Sequence, residues 1–420
     1  MSSEEGYLDS ILYSTIRDEL SLPRFGLKLI LKRFADLGVT LTDSQIDKLR
    51  SDLEGENLER FLIHLDDEQE RQLKSVQGKD STTIDLSIGD LDDLPMHLEK
   101  AMAQVVPDVL RTFSETLLNE WKLQASEVLV EQQSERVKFN KRVREVWGEA
   151  IDRLNMLINV CMEEGARFND DFREEPAQTN DFVFDALTRL HARGCQVGFE
   201  ILTLLKNGFA DGAHARWRTL HELAVVAMFL AEHGQAVAQR YLEHSGIANY
   251  VEAKEYQRYC DALGYPPLSG EELQQVKMLR DSLVKKYGVD FNRDYGWAAS
   301  VLPKTKLTFA GLEKSIRLDH LRPFYKMANI NVHAGSKGGY FRIGSPPQSD
   351  NLLLVGSSLF GLDDPGQNAA ISIHQLTVTL LFLKPNLDRV AFAQAIQLLV
   401  DEICEVFIEV HRKLEIGSAS

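Results

Sequence analysis

Residues 211–234 read DGAHARWRTLHELAVVAMFLAEHG, an apolar segment with a charged opening. From Leu223 to Leu230 every residue is apolar, and no Pro interrupts the stretch. A helix that is apolar all round belongs in a core and not on a surface. Asp211 suits the cap position that accepts the free N–H groups of a first helical turn, and Gly234 suits the position just past a helix end. The first turns nevertheless carry His214, Arg216, Arg218, His221 and Glu222. At about 100° per residue, His214, Arg218, His221 and Glu222 fall on one side of the helix, with Arg216 nearly opposite. Charged groups at the mouth of a buried helix need partners, because unpaired burial costs several kcal/mol. The stretch predicts a central helix over 213–233 with a polar pocket at its start.

Helical patterning continues on both sides. Upstream, residues 135–168 read as one long amphipathic helix, and residues 181–193 and 195–207 as two helices parted at Gly194, with EEPAQTN (174–180) as a loop. Downstream, residues 235–263 read as one helix, and PPLSGEE (266–272) opens another, with Ser269 as cap and Glu272 three positions on. Residues 288–309 are irregular, and WAASVLPKTK (297–306) suits a loop over the core. Pro323 must start or kink the helix expected over 318–332, and Pro385 divides two closing helices. Nearer the start, residues 7–37 give two short amphipathic helices broken at Leu22–Pro23 and ending at Gly38. Thr42 and Gln45 form a capping box for the next helix, and residues 57–75 give a charged amphipathic one. A short strand or an extended linker is expected at 83–88, and a short strand at 352–358. The fold class is all-α: a helical bundle over residues 134–420, an additional N-terminal helical region over 1–133, and at most a few short strands.

The chain has 420 residues, 44% hydrophobic and 26% charged, the composition of an ordinary globular protein. A net charge of −16 excludes a global basic footprint for nucleic acid and leaves room only for a local basic cleft. Cys161, Cys195, Cys260 and Cys404 are widely spaced with no CxxC pair, which speaks against a zinc ribbon or a disulfide scaffold and for a reducing cytoplasm. The acidic, polar start MSSEEGYLDS does not read as a signal peptide, and no apolar run approaches the ~20 residues of a membrane span. There is no GxxxxGK[ST] or GxGxxG, and no βαβ rhythm, so a nucleotide-binding α/β fold is not expected. HExxH is absent too, and His214, His221 and Glu222 lack a ligand frame for a metal.

A second stretch, YKMANINVHAGSKGGYFRIG (325–344), gathers titratable groups where a helical pattern stops. His333 stands at that edge, where an imidazole can serve as acid or base. Lys326, Lys337 and Arg342 surround it, and Gly335, Gly338 and Gly339 let backbone approach a ligand closely. Those cations would attract phosphate even in an acidic protein, because local field outweighs net charge within a Debye length of about 8–10 Å. Each feature has a plain structural alternative. Arg218 and Glu222, four apart, also suit a structural ion pair, His221 a satisfied core histidine, and His333 a helix cap.

ARWRTLHELAVV and YKMANINVHAG together resemble a widespread bacterial helical family of unknown function. It pairs an Arg-x-x-x-Glu helix, here Arg218 and Glu222, with a later Tyr-rich segment ending in Val-His, here Tyr325, Val332 and His333. The resemblance spans about residues 136–384 and leaves the N-terminal region uncovered. In outline it is similar to the HEPN superfamily of helical ribonucleases, common in antiphage and toxin–antitoxin loci. Such ribonucleases carry an Arg followed by a His, a spacing that RWRTLH (Arg216 to His221) satisfies. The resemblance implies metal-independent RNA cleavage without a cofactor. A His (His333 or His221) would act as base on the ribose 2′-OH, an Arg (Arg218 or Arg216) would stabilise the phosphorane, Glu222 would support them, and Tyr325, Lys326, Lys337 and Arg342 would bind substrate. The rival expectation is a non-enzymatic sensor or interaction module of a defence system, binding a partner protein through its N-terminal region. RNA, a partner protein and a second copy of the chain are the partners expected, and a membrane is not.

Overall fold

In the computed structural model the residues described are 14, 17, 22–54, 63–77, 94–346 and 353–419. All regular structure among them is helical. The chain divides into two compact units, Met1–Gln132 and Gln133–Ser420.

The first unit contains α1 (Leu27–Asp36), entered through a π-helical turn at Leu22–Gly26, then α2 (Asp43–Leu53) and α3 (Asp67–Gln77). Leu27, Ile30, Phe34, Leu49, Leu53 and Leu73 close a small core. Gly38, at φ 71°, ends the first helix, and the Thr42–Gln45 capping box starts the second, both as the sequence indicates. The strand or linker expected at 83–88 lies outside the described residues. Helix α4 (Leu94–Phe172) begins in this unit and runs without interruption into the second, carrying Pro107 inside it.

In the second unit the later part of α4 presents a seam of Val143, Trp147, Ile151, Leu154, Ile158 and Cys161 to a large core. There follow α5 (Glu174–Thr179), α6 (Phe182–Lys206), α7 (Ala210–His233), α8 (Gln235–Glu243), α9 (Ser245–Leu263), α10 (Gly270–Tyr287), α11 (Phe309–Ser315), α12 (Arg322–Ala328), α13 (Lys337–Tyr340), α14 (Asp363–Leu381) and α15 (Leu387–Ala419). Helix α7 is central, packed chiefly against α6 and α14. Its apolar run is a core element, with Ala224, Val225, Ala227, Phe229 and Leu230 fully buried.

Several boundaries differ from the sequence reading. Helix α6 passes straight through Gly194, which is buried so tightly that a Cβ there would stand 2.2 Å from a Leu376 methyl. That glycine serves a close approach between α6 and α14, so its poor helix propensity does not break the helix. EEPAQT forms the short helix α5, not a loop. The single helix expected over 235–263 is two, divided at His244. Residues 353–358 form no strand: Leu353 and Val355 are exposed, and Gly356 has a φ of 106°. The Ser269–Glu272 capping box starts α10, and Pro323 lies in the first turn of α12, both as expected.

Candidate functional site

The opening turns of α7 divide between two environments. On the buried side His214, Trp217 and His221 stack in a ladder, with successive ring centroids 5.4 Å apart. All three are fully enclosed, and Trp217 Nε1 donates to Ser372 Oγ of α14 at 3.0 Å. His221 Nε2 lies 3.0 Å from Glu313 Oε1, and both side chains are inaccessible to solvent. The other Glu313 oxygen is ion-paired with Arg322. One buried carboxylate thus fastens α11 to α7 through His221 and reaches α12 through Arg322. Burial pushes the His214 imidazole down to about 4, opposed by the Phe324 backbone.

On the open side Gly212, Ala215, Arg216, Arg218, Thr219 and Glu222 form one wall of a groove of about 360 Å³, completed by Leu204 of α6 and by Val332. Arg216 is ion-paired with Glu200 of α6 and donates to Thr219 Oγ1 at 3.4 Å. Arg218 Nε lies 3.1 Å from Glu222 Oε1, and its guanidinium sits 5.0 Å from the centre of the Tyr325 ring. Tyr325 donates its hydroxyl to the same Glu222 oxygen at 2.6 Å. Burial opposes the charge on Arg218, but Tyr325 and Glu222 outweigh it and hold the guanidinium firmly protonated. Burial and the bond to Glu222 push the Tyr325 phenol well above its ordinary range, and burial with the Glu222 charge pushes Tyr295 up to about 12.

The boundary between the two environments runs between His221 on one side and Arg218 and Glu222 on the other. The polar residues grouped on one side by the sequence reading are therefore not one pocket. Arg218, Glu222 and Tyr325 come together, Arg216 joins them along the groove, and His221 is sealed behind them against Glu313. Arg216 and His221, five apart, face different environments and form no joint site. Lys326 is exposed. His333 is exposed beside Val332; its N–H donates to Asn329 O at 3.0 Å, and its imidazole makes no hydrogen bond or ion pair among the described residues.

The segment after His333 closes on itself. Lys337 lies 5.4 Å from the Phe341 ring centre, and Arg342 donates to Gly338 O and Phe341 O. Gly338 is held so close to Ile330 O that a Cβ would stand 2.9 Å from it. Asp211 secures the end of the segment, accepting from Ile343 N at 3.1 Å and Gly344 N at 3.4 Å. That corrects the expectation for Asp211: the helix begins at Ala210, Phe209 holds the cap position without a side-chain bond, and Asp211 caps a distant turn.

Sequence reasoning missed Glu313, Glu200, Thr219 and Arg322. For Glu313 a signal exists: in FAGLEKSI the carboxylate sits among Phe309, Leu312 and Ile316 at helical spacing, the signature of a buried acid that must find a cation. The other three carry no local signal.

Residues 184–350 match a family model described as a family of unknown function, DUF5677. The match is narrower than the span of the resemblance. It holds both singled-out stretches, the whole of α7 and the segment through His333, together with Glu200, Glu313 and Arg322. The DUF5677 description assigns no activity. No curated protein and no solved structure matches the chain. Among the described residues no group of three His, Cys, Asp or Glu side chains is placed to hold a metal, and no helix is long and apolar enough to cross a membrane.

Proposed function

We propose that the protein is a binding module whose α7 groove takes a small ligand carrying a phosphate or carboxylate. The observation that carries this reading is the Arg218–Glu222–Tyr325 cluster. It offers a fixed cation at the groove edge, a carboxylate oxygen already engaged by two partners, and a phenol held protonated. Such a set recognises charge and holds shape, but it has no poised base. The ligand's anion would lie toward Arg218 and Arg216, and its carbon skeleton against Leu204, Ala215 and Val332. In this reading the chain is a sensor in the cytoplasm, in keeping with its four free cysteines, and the HEPN-like outline suggests a place in a bacterial defence system.

A second reading, metal-independent RNA cleavage, is favoured by one observation: the exposed His333 follows Val332, a wall of the same groove. His333 would then be the base and Arg218 the group that stabilises the phosphorane. One experiment separates the two. Inorganic phosphate, adenosine monophosphate and a mixed-sequence RNA are titrated by calorimetry, and the RNA is followed on gels without added metal. The binding reading expects phosphate or the nucleotide to bind, folded Arg218→Ala to lose that binding, and the RNA to stay intact. Cleavage that disappears in folded His333→Ala overturns it in favour of the second reading.

A further inference from the structure

We infer that the second unit carries a separate pocket for a compact aromatic monoanion. The pocket, of about 430 Å³, lies where α6, α7, α8, α9 and the turn at Gly296–Ser300 converge, and it shares no lining residue with the groove at Arg218. Its volume falls within the range of small-molecule sites, which are mostly apolar with a few placed polar groups. Leu190 and Trp297, nearly buried, and the ring of Tyr241 supply the apolar surface. Trp297 stands edge-on to Tyr241, with ring centroids 5.1 Å apart.

This surface is fixed in place. Arg240 Nε donates to Trp297 O at 2.9 Å, and a second guanidinium nitrogen donates to Gly296 O at 3.2 Å. His244 Nε2 lies 3.0 Å from Phe291 O and 2.9 Å from Arg293 O, holding the chain just upstream. Gly296 is wedged so that a Cβ would stand 2.4 Å from Asp290 O. A turn held by two side chains and a close backbone approach is preorganised, and preorganisation is what lets a small ligand bind without an ordering cost.

The rim supplies the charge preference. Arg189 and Arg193, one turn apart on α6, both line the pocket. Arg189 is paired with Asp185 of its own helix, whereas Arg193 donates only to the neutral Gln196 and has no carboxylate partner among the described residues. One guanidinium without a counter-ion above a Trp and Tyr surface fits a ring that bears a single carboxylate, sulfonate or phosphate monoester. The occupant is therefore an aromatic monoanion, its ring against Trp297 and its acid group at Arg193.

The test uses the full chain labelled with fluorotryptophan and read by fluorine NMR. The protein has four tryptophans, and Trp297→Phe assigns the resonance of interest. The probes are naphthoate and its neutral isostere naphthamide. Naphthoate is expected to shift the Trp297 signal saturably, with a Kd below about 1 mM, and naphthamide and the folded Arg189→Gln/Arg193→Gln variant to show about tenfold weaker binding. The inference is overturned if the Trp297 signal does not move, if the two probes bind equally, or if the double variant binds as the parent does. A shift confined to Trp121, which is 64% exposed on α4, overturns it as well, since that reports surface adsorption. Arg218→Ala leaves this titration unchanged, so the pocket and the groove stand or fall separately.

Discussion

The Tyr325 hydroxyl donates to Glu222 Oε1 across 2.6 Å, joining residues 103 positions apart. Through that bond the two stretches that sequence alone singles out become one site, because Arg218 approaches the same oxygen. The site is a surface groove and not a buried cavity. Glu222 and Arg218 keep 33% and 24% of their side-chain surface in water, which limits what the cluster can add to stability.

Glu222→Ala is accordingly expected to cost about 1–2 kcal/mol, less than a fully buried pair would. A double-mutant cycle of Glu222→Gln with Tyr325→Phe should return a coupling of about 1 kcal/mol by urea unfolding. A coupling indistinguishable from zero would mean that the bond does not hold in solution.

Glu313→Ala is expected to be far more damaging. It leaves His221 sealed without its partner and strips Arg322 of its counter-ion, a loss of about 3–5 kcal/mol. Thermal unfolding of Glu313→Ala beside Glu222→Ala provides the measurement, and the Glu313 variant should melt clearly lower. Equal melting temperatures would contradict the described burial.

Stability should fall as the solution is acidified through the histidine range. Burial holds His191 and His214 down at about 4, against an ordinary value of 6.5. Below pH 6.5 the unfolded chain binds protons at these positions and the folded chain does not, so unfolding becomes easier until about pH 4, where the two states again bind alike. Each histidine accounts for on the order of 3 kcal/mol across that window. Denaturant titrations at stepped pH check this, and His191→Gln should flatten the slope across the whole window, since the two histidines share it.

Gly165→Ala should destabilise the second unit by about 1–3 kcal/mol through overpacking. A Cβ at Gly165 would stand 2.2 Å from His191 Cε1, and that ring is buried and tied to Thr377 Oγ1 at 3.0 Å, so it has little room to yield. Gly148→Ala is the control, since its neighbour is the exposed Arg144 side chain. The two variants are compared by urea midpoint, and equal midpoints would sink the packing argument.

Asp211→Ala should loosen the segment from His333 to Ser345 while leaving α7 in place, because Asp211 bonds Ile343 N and Gly344 N and not its own helix. Faster hydrogen exchange at Ile343 and Gly344, with unchanged protection at Val225, is the expected pattern. Loss of protection along α7 would return Asp211 to the role of helix cap.

The all-α class and the central helix were legible because an uninterrupted apolar run cannot stay in water, whatever surrounds it. The capping boxes at Thr42 and Ser269 were legible because both partners lie three residues apart. Asp211 was misread because its acceptor oxygens can serve any nearby N–H, and the N–H groups that won come from 132 and 133 positions away. Gly194 was misread because local propensity disfavours it, whereas the advantage it gives is packing against Leu376. The site was half legible. Arg218, Glu222 and Tyr325 do meet, but the line separating them from His221 is drawn by Glu313, 92 positions along the chain.

That separation bears on how the protein is made. Helices α8, α9 and α10 all emerge from the ribosome before Glu313 does. Until then His221 has no carboxylate to meet, and the ladder it shares with Trp217 lies uncovered. The segment bearing Glu313 also brings Arg322 and Tyr325, so pairing His221 and shaping the groove wall belong to one late event in synthesis. A chain stalled before residue 313 would show chaperones an α7 flank that the finished protein never exposes.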